Sequence, residues 1–409
     1  MRFTWYSARD GQREIATLSL YTPSPSVALM LALTRHAARC GSSPHARRLL
    51  SSTADCPVVD LAKLDWRNES AERAQELRRL RDACETAGYF AARTSAYIPP
   101  ALVSSVYTAT RDFHALPADA KAPFHHRKDR NSRGWVPLGE EPSYEAEAAG
   151  AVVSHVSRFD LARDLPRDDP AVLAGVTSMG SNVWVPDAVV PGFKAAVQSY
   201  YEASTETARV LFVAFAEMLG LPRDMFVQHF TRHARGTMRL MHYPGAQSPA
   251  VVSARNTGIT SHTDFEAFTQ LHSDASGLQM ARGAHSEAWV DAPVPDAEHN
   301  ITILGDVLEM FTNGQLQATR HRVLHVPHQR FSLVRFVGVQ GDTLVAPLPA
   351  FGAPLYTPVT QSDHIENAMD LAEQRRRKLA AAGIAPVGAM GPRAQRIRGQ
   401  PVYSEYSLE

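Results

Sequence analysis

The chain has 409 residues, 44% hydrophobic and 21% charged, enough to bury a substantial core. Its 42 basic and 42 acidic side chains balance, which argues against nucleic acid or an anionic membrane as partner and for a small-molecule ligand. Cys40, Cys56 and Cys84 stand far apart with no CxxC pair; this speaks against a disulfide framework or a thiolate zinc site and for a reducing, cytoplasmic setting.

Residues 1–54 read as an N-terminal extension. The stretch Ile15–Ala54 holds no Asp or Glu but carries Arg35, Arg39, Arg47, Arg48 and many serines, the composition of a mitochondrial transit peptide, with Met30 as an alternative start. An unstructured extension without an address is the plainer reading. Val27–Leu33, the longest apolar run near the N-terminus, is far short of the ~18 residues a membrane span needs.

Folded sequence is expected from Cys56-Pro-Val-Val-Asp-Leu-Ala, a β-type run. A helix follows from Ser70 to about Gly88, then a strand at Gly88-Tyr-Phe-Ala-Ala-Arg, with the glycine as C-cap. Pro99–Leu116 is a helix opened by paired prolines and closed by Pro117. Asp129–Glu147 is polar and loop-like, and Pro191–Leu219 is a long amphipathic helix ended by Gly220.

From Thr237 the texture changes to short β-type runs separated by Gly, Pro, Asn and Asp: Thr237–Tyr243, Gly258–His262, Phe268–His272, Gly277–Ala281, Ala288–Ala292, Asn300–Leu304, Gln317–Leu324 and Arg330–Val339. This predicts a sandwich or jelly-roll barrel rather than a βαβ sheet. Asp306, after Gly305, reads as a turn. Helix returns over Asp363–Ala382 with the basic run Arg375–Lys378, a solvated face, and the tail from Pro386 is Gly/Pro/Arg-rich.

Ser261-His262-Thr263-Asp264 places an imidazole and a carboxylate at i and i+2, on one side of an extended chain. Such a pair suits iron(II), manganese or zinc. With 17 histidines in the chain, however, one His-x-Asp is expected by chance. Far downstream, Ala318-Thr-Arg-His-Arg-Val-Leu offers His321 as a third ligand, and two His plus one carboxylate occupy one face of an octahedral iron and leave the other open. On spacing alone His325 competes closely with His321. Arg330-Phe331-Ser332 aims a guanidinium and a hydroxyl to one side, and the guanidinium fork matches a carboxylate. A dicarboxylate keto acid could chelate the iron at one end and meet Arg330 at the other. His242, His272, His285 and His328 are further ligand candidates. Trp135, Arg133 and Tyr89 are equally pocket or packing residues, and Phe336 is expected inside the barrel.

Pro57-Val-Val-Asp-Leu61, Gly88-Tyr-Phe90, Phe113-His-Ala-Leu-Pro-Ala-Asp-Ala-Lys121, Arg133-Gly-Trp135, Tyr243-Pro244, His262-Thr-Asp264, Gly277-Leu-Gln279, Gly305–Gly314, His321-Arg-Val and Arg330-Phe-Ser332 follow one another in order. Over roughly Cys56 to Ala382 this set resembles the isopenicillin N synthase-like branch of the iron(II)/2-oxoglutarate dioxygenases. The resemblance implies a mainly β fold with flanking helices and a double-stranded β-helix (jelly-roll) core. It implies iron held by His262, Asp264 and His321, with 2-oxoglutarate held by Arg330, Ser332 and Tyr243 and O₂ as second co-substrate. Oxidative decarboxylation of the keto acid would be coupled to hydroxylation, desaturation or ring closure of a small organic molecule. Plant members carry an Asn two residues before the Tyr-Pro; here Met241 stands there, removing one side-chain contact to the keto acid.

The expected organisation is an extension (1–54), an N-terminal α/β region with helical support (55–235), the catalytic core (236–345), a C-terminal helix region (346–385) and a tail (386–409). Three rival readings remain: an iron oxidase of the same fold that does not use 2-oxoglutarate, a non-catalytic binding protein on this barrel, and a hydrolytic zinc enzyme, which lacks an obvious general base.

Overall fold

The computed structural model describes residues 56–138, 140, 155–245, 257–282 and 288–370. The N-terminal extension, His285, the run Arg375–Lys378 and the tail lie outside the described residues.

Among the described residues, Leu344–Val345 pairs with Val359–Thr360 in a small third sheet, and twelve strands build the two main ones. They are β1 (Val58–Asp60), β2 (Tyr89–Arg93), β3 (Gly134–Val136), β4 (Ser157–Ala162), β5 (Thr237–Tyr243), β6 (Thr257–His262), β7 (Phe268–Ser273), β8 (Leu278–Ala281), β9 (Trp289–Asp291), β10 (His299–Leu304), β11 (His321–Leu324) and β12 (Arg330–Val337). The larger sheet runs β1-β2-β10-β7-β12-β5-β4-β3 and the smaller β6-β11-β8-β9. All pairings are antiparallel except β1 with β2. From β5 onward the chain passes between the sheets at every step except β8 to β9, a hairpin within the smaller sheet; this is the jelly-roll arrangement expected from the run of short strands.

Helices cover one face of the larger sheet. Helix α1 (Ala71–Thr86) starts where the Ser70 hydroxyl accepts from the Arg73 N–H at 3.2 Å, a capping bond that satisfies an otherwise orphaned donor. It ends at Gly88, whose φ of 78° favours glycine. A Cβ there would lie 2.2 Å from Thr319 Oγ1, so the same glycine admits a close chain crossing. Helix α2 (Pro100–Ala115) opens on proline, and helix α3 (Phe193–Met218) lies between Gly192 and Gly220, both at φ 73°.

Alternation along the strands decides what faces the helices. Phe159 and Leu161 of β4, Met238 and Leu240 of β5, and Phe331 and Leu333 of β12 pack in one apolar cluster with α2 and α3. Burying each such side chain contributes ~1.5–3 kcal/mol. The other residues of these strands point into the barrel: Arg158 and Asp160, Arg239, Met241 and Tyr243, then Arg330, Ser332 and Phe336. The barrel interior is thus partly polar, while the apolar core sits between sheet and helices.

Three local expectations need correction. Residues 317–320 are not strand, so β11 begins only at His321. The polar segment after Asp129 contains β3. Asp306 opens a helix, α4 (Asp306–Phe311), because its N–H is turned back to donate to the Asp264 carbonyl at 2.9 Å.

Candidate metal and carboxylate site

His262 ends β6 and His321 begins β11, and the register sets the two opposite one another. Their rings are 4.3 Å apart, centre to centre. Asp264 follows β6 on a loop held by Asp306 and by Gly305, where a Cβ would lie 2.3 Å from the Glu266 carbonyl oxygen. Asp264 Oδ1 is 3.6 Å from His262 Nε2, and Asp264 Oδ2 is 3.7 Å from His321 Nε2. These separations are too long for hydrogen bonds yet less than twice a ~2.1 Å metal–ligand bond. One ligand atom from each side chain lies within 4.8 Å of the others.

The partners of each group suit coordination. His262 Nδ1 lies 2.8 Å from the Thr260 carbonyl and His321 Nδ1 lies 3.0 Å from that of Thr319. Both contacts call for the proton on Nδ1, leaving each Nε2 lone pair for a metal. Burial pushes the His321 pKa down, with Asp264 opposing, which keeps the ring neutral. Burial alone would raise the Asp264 pKa, but His321, His262 and a hydrogen bond from Thr269 outweigh it and hold the carboxyl near 2. The donor set is therefore two imidazole nitrogens and one carboxylate, which fits a divalent first-row metal with open positions. His325 does not join it; its ring stacks on His155 at 4.5 Å.

Arg330, Ser332 and Tyr243 form a second group. Arg330 and Ser332 are completely buried, and Arg330 sits opposite Tyr243 in the β12–β5 register. The guanidinium lies 4.9 Å over the Tyr243 ring, donates through Nη1 to Ser332 Oγ at 3.3 Å and through Nε to the Ala275 carbonyl at 3.2 Å. Its Nη2 has no partner among the described residues. A buried cation with an unmatched donor is costly unless an anion meets it. Burial raises the Tyr243 hydroxyl pKa, with Arg330 opposing, so the hydroxyl stays protonated and able to donate. Gly258 of β6 lets the smaller sheet close on this ring, since a Cβ there would lie 2.9 Å from Tyr243. Met241 is buried beside Ser332 on the neighbouring strand.

A cavity of about 460 Å³ opens beside the triad, its wall including His262, Asp264, Phe336, Arg133, Arg158 and Arg239. Arg133 is mainly structural, donating to the carbonyls of Arg163, Gly180 and Ser178. Trp135 is buried, with its Nε1 donating to Ser157 Oγ at 3.0 Å, and Tyr89 is also buried. His242 stacks on Phe331 and His272 pairs with the Tyr107 hydroxyl, so neither serves the triad.

Sequence patterning did not single out Thr269, Arg158 or Arg239. Arg239 was within reach, sharing a face with Tyr243 on an expected strand. Arg158 was not, because no strand was expected at β4. Among the described residues, His125, His126 and Glu140 also bring three ligand-capable atoms together. There Arg127 engages Glu140 at 3.1 Å and donates its N–H to His125 Nδ1 at 3.2 Å. An accepting Nδ1 puts the proton on Nε2, which removes that nitrogen as a ligand.

Residues 56–187 match the family described as non-haem dioxygenase in morphine synthesis, N-terminal, and residues 226–339 match the 2OG-Fe(II) oxygenase superfamily. The 2-oxoglutarate-dependent dioxygenase citB of Monascus ruber is 31% identical over 301 residues, 72% of this chain and 88% of that protein. Clavatol oxidase claD of Penicillium crustosum is 29% identical over 305 residues, 72% of this chain and 89% of its own. The fold is similar to that of a 2OG-Fe(II) oxygenase family protein of Caulobacter crescentus, at TM-score 0.63 and 21% identity over 78% of this chain and 99% of that one. With the jelly roll, the His-Asp-His cluster and these relatives in agreement, the chain belongs to the iron(II)- and 2-oxoglutarate-dependent oxygenase superfamily.

Proposed function

We propose that His262, Asp264 and His321 hold iron(II), that Arg330, Ser332 and Tyr243 hold the far carboxylate of 2-oxoglutarate, and that the enzyme hydroxylates a small organic molecule in the adjoining cavity. The observation that carries this reading is the convergence of three ligand atoms from β6, its exit loop and β11 within 4.8 Å. Iron, when bound with the keto acid and O₂, supplies the oxidant, and the products include succinate and CO₂.

The chain's own residues do the positioning. Thr260 and Thr319 orient the two imidazoles, Thr269 turns the carboxylate, and Asp306 anchors the loop that carries it. Arg330 offers a fork fixed by Ser332 and the Tyr243 ring, in a place water does not reach, where a charge-assisted bond is strongest. Domain limits at 55–235 and 236–345, a reducing compartment and the absence of a nucleic-acid partner belong to the same reading. No helix among the described residues is long and apolar enough to cross a membrane.

Anaerobic addition of iron(II) and 2-oxoglutarate is expected to give the weak visible charge-transfer band of the chelate, and O₂ uptake to depend on 2-oxoglutarate. Absence of the band with O₂ uptake independent of keto acid would replace this reading by that of an oxidase.

A further inference from the structure

We infer that His364 is a positioning residue for the metal site: through Asp306 it fixes the loop that carries Asp264, without being a ligand itself. The inference rests on the proposed iron site and deepens it.

The loop leaving β6 is held by its backbone. Every carbonyl from Asp264 to Ala267 has a donor. The Asp306 N–H donates to Asp264 at 2.9 Å, Gln361 Nε2 to Phe265 at 3.2 Å, the Val307 N–H to Glu266 at 3.2 Å and the Gly305 N–H to Ala267 at 2.9 Å. The three backbone donors stand at the start of α4, where N–H groups have no partner within the helix. Gly305 supplies no side-chain cap, so the first turn of α4 is fixed by what it touches outside. The fourth donor, Gln361, opens a helix at residues 361–370. Thr360 caps that helix: its hydroxyl accepts from the Asp363 N–H at 3.0 Å and donates to Asp363 Oδ2 at 2.7 Å. Gln361, His364 and Ala368 form the buried face, at i, i+3 and i+7.

His364 joins the two elements. Its Nε2 lies 3.1 Å from Asp306 Oδ2, with side-chain exposures of 6% and 2%, and its ring meets Phe265 edge-on at 6.1 Å. A carboxylate this deeply buried is stable only with a matched donor. Without His364, Asp306 must draw in water or turn out of its place, and its N–H moves with it. The Asp264 carbonyl then loses its donor, and the carboxylate of the same residue loses the aim that sets it between His262 and His321. Ile365 and Met369 of the same helix line the cavity beside His262 and Asp264. One buried pair thus sets both the metal loop and a wall of the cavity.

Equilibrium dialysis and visible spectra of the full chain with Co(II), a divalent probe whose absorption bands report ligand geometry, test this. H364F keeps an aromatic edge for Phe265 and removes the donor, whereas H364Q sets an amide nitrogen where Nε2 stood. H364F should weaken Co(II) about 10-fold or more and shift its bands, while H364Q should stay within about 3-fold with the original spectrum. Should H364F not fold by circular dichroism, H364N decides: its shorter amide falls short of Asp306, so it should show the loss and the band shift instead. Unchanged bands in H364F with Co(II) affinity within about 3-fold of the unmodified protein would overturn the inference. Equal losses in H364Q and H364F would do the same, marking a ring that only packs. H321A separates the two readings. Co(II) binding lost in H321A but intact in H364F sinks the inference alone. No binding in the unmodified protein, or binding that H321A leaves intact, removes the metal site and the inference with it.

Discussion

His321 lies directly across from His262 in the β11–β6 pairing, and the register shifts on the very next step, between His321 and Val323. The irregularity bends the ladder just where two imidazoles must turn their Nε2 atoms to one point, as bulges near functional sites commonly do. Replacing His321 with Ala should abolish iron(II) binding measured by equilibrium dialysis, while His325→Gln should leave it within about 2-fold because that ring packs on His155 elsewhere.

Thr269 donates to the carboxylate oxygen that faces His321. Thr269→Val keeps the shape and removes the bond, so the carboxylate loses its orientation. Metal affinity should fall about 10- to 100-fold with little change in thermal stability of the metal-free protein.

Arg330 is buried beside Ser332 and Tyr243. Arg330→Gln should weaken 2-oxoglutarate by about 2–5 kcal/mol, roughly 30-fold to a few thousand-fold in half-saturation. Ser332→Ala should cost about 1 kcal/mol. Titration of the iron–keto-acid band reads both directly. Equal effects from the two substitutions would argue against the guanidinium as the main anchor.

Gly258→Ala would bring a methyl group to 2.9 Å from Tyr243. The ring has nowhere to go, pressed as it is by Arg330, so stability should drop by about 1–3 kcal/mol. The keto acid should weaken in parallel. Urea unfolding and the same band titration check the two effects separately.

Acid sensitivity should centre on His114 and His242. Burial pushes the pKa of His114 down to about 3 and that of His242 to about 4, with Lys121 adding to the effect at His242. In the unfolded chain both titrate near ~6.5. Between those values the unfolded state binds more protons, so stability is full above about pH 6.5 and declines as pH falls toward 4 and then 3. His114 accounts for up to ~1.4 kcal/mol per pH unit. His242, partly solvated, contributes less. His242→Gln should flatten the decline when urea midpoints are compared from pH 7 to pH 4.

The barrel strands were legible because their apolar residues alternate between turn signals, and the chemistry-bearing side chains of β6, β11 and β12 fall on those strands. Strand β4 was not legible. In Ser157-Arg-Phe-Asp-Leu-Ala the charged residues face inward and the apolar ones face the helices, the reverse of what an inside-apolar rule expects. Helix α4 was hidden for a different reason: Gly305-Asp306 is a turn signal by composition, and only the distant Asp264 carbonyl fixes its N–H in place. Spacing alone left His321 and His325 close, because an offset of four preserves the face in β structure; the family's His-Arg-Val context favoured His321, and the His325 ring packs on His155 instead.

The proposed metal ligands come from the smaller sheet and its exit loop, whereas Arg330, Ser332 and Tyr243 come from the larger one. A molecule gripped at one end by each therefore acts as a rivet through the barrel. Melting temperature should then climb with co-substrate concentration far more steeply when metal is present than when it is chelated away, since only the joined pair fastens the two halves together.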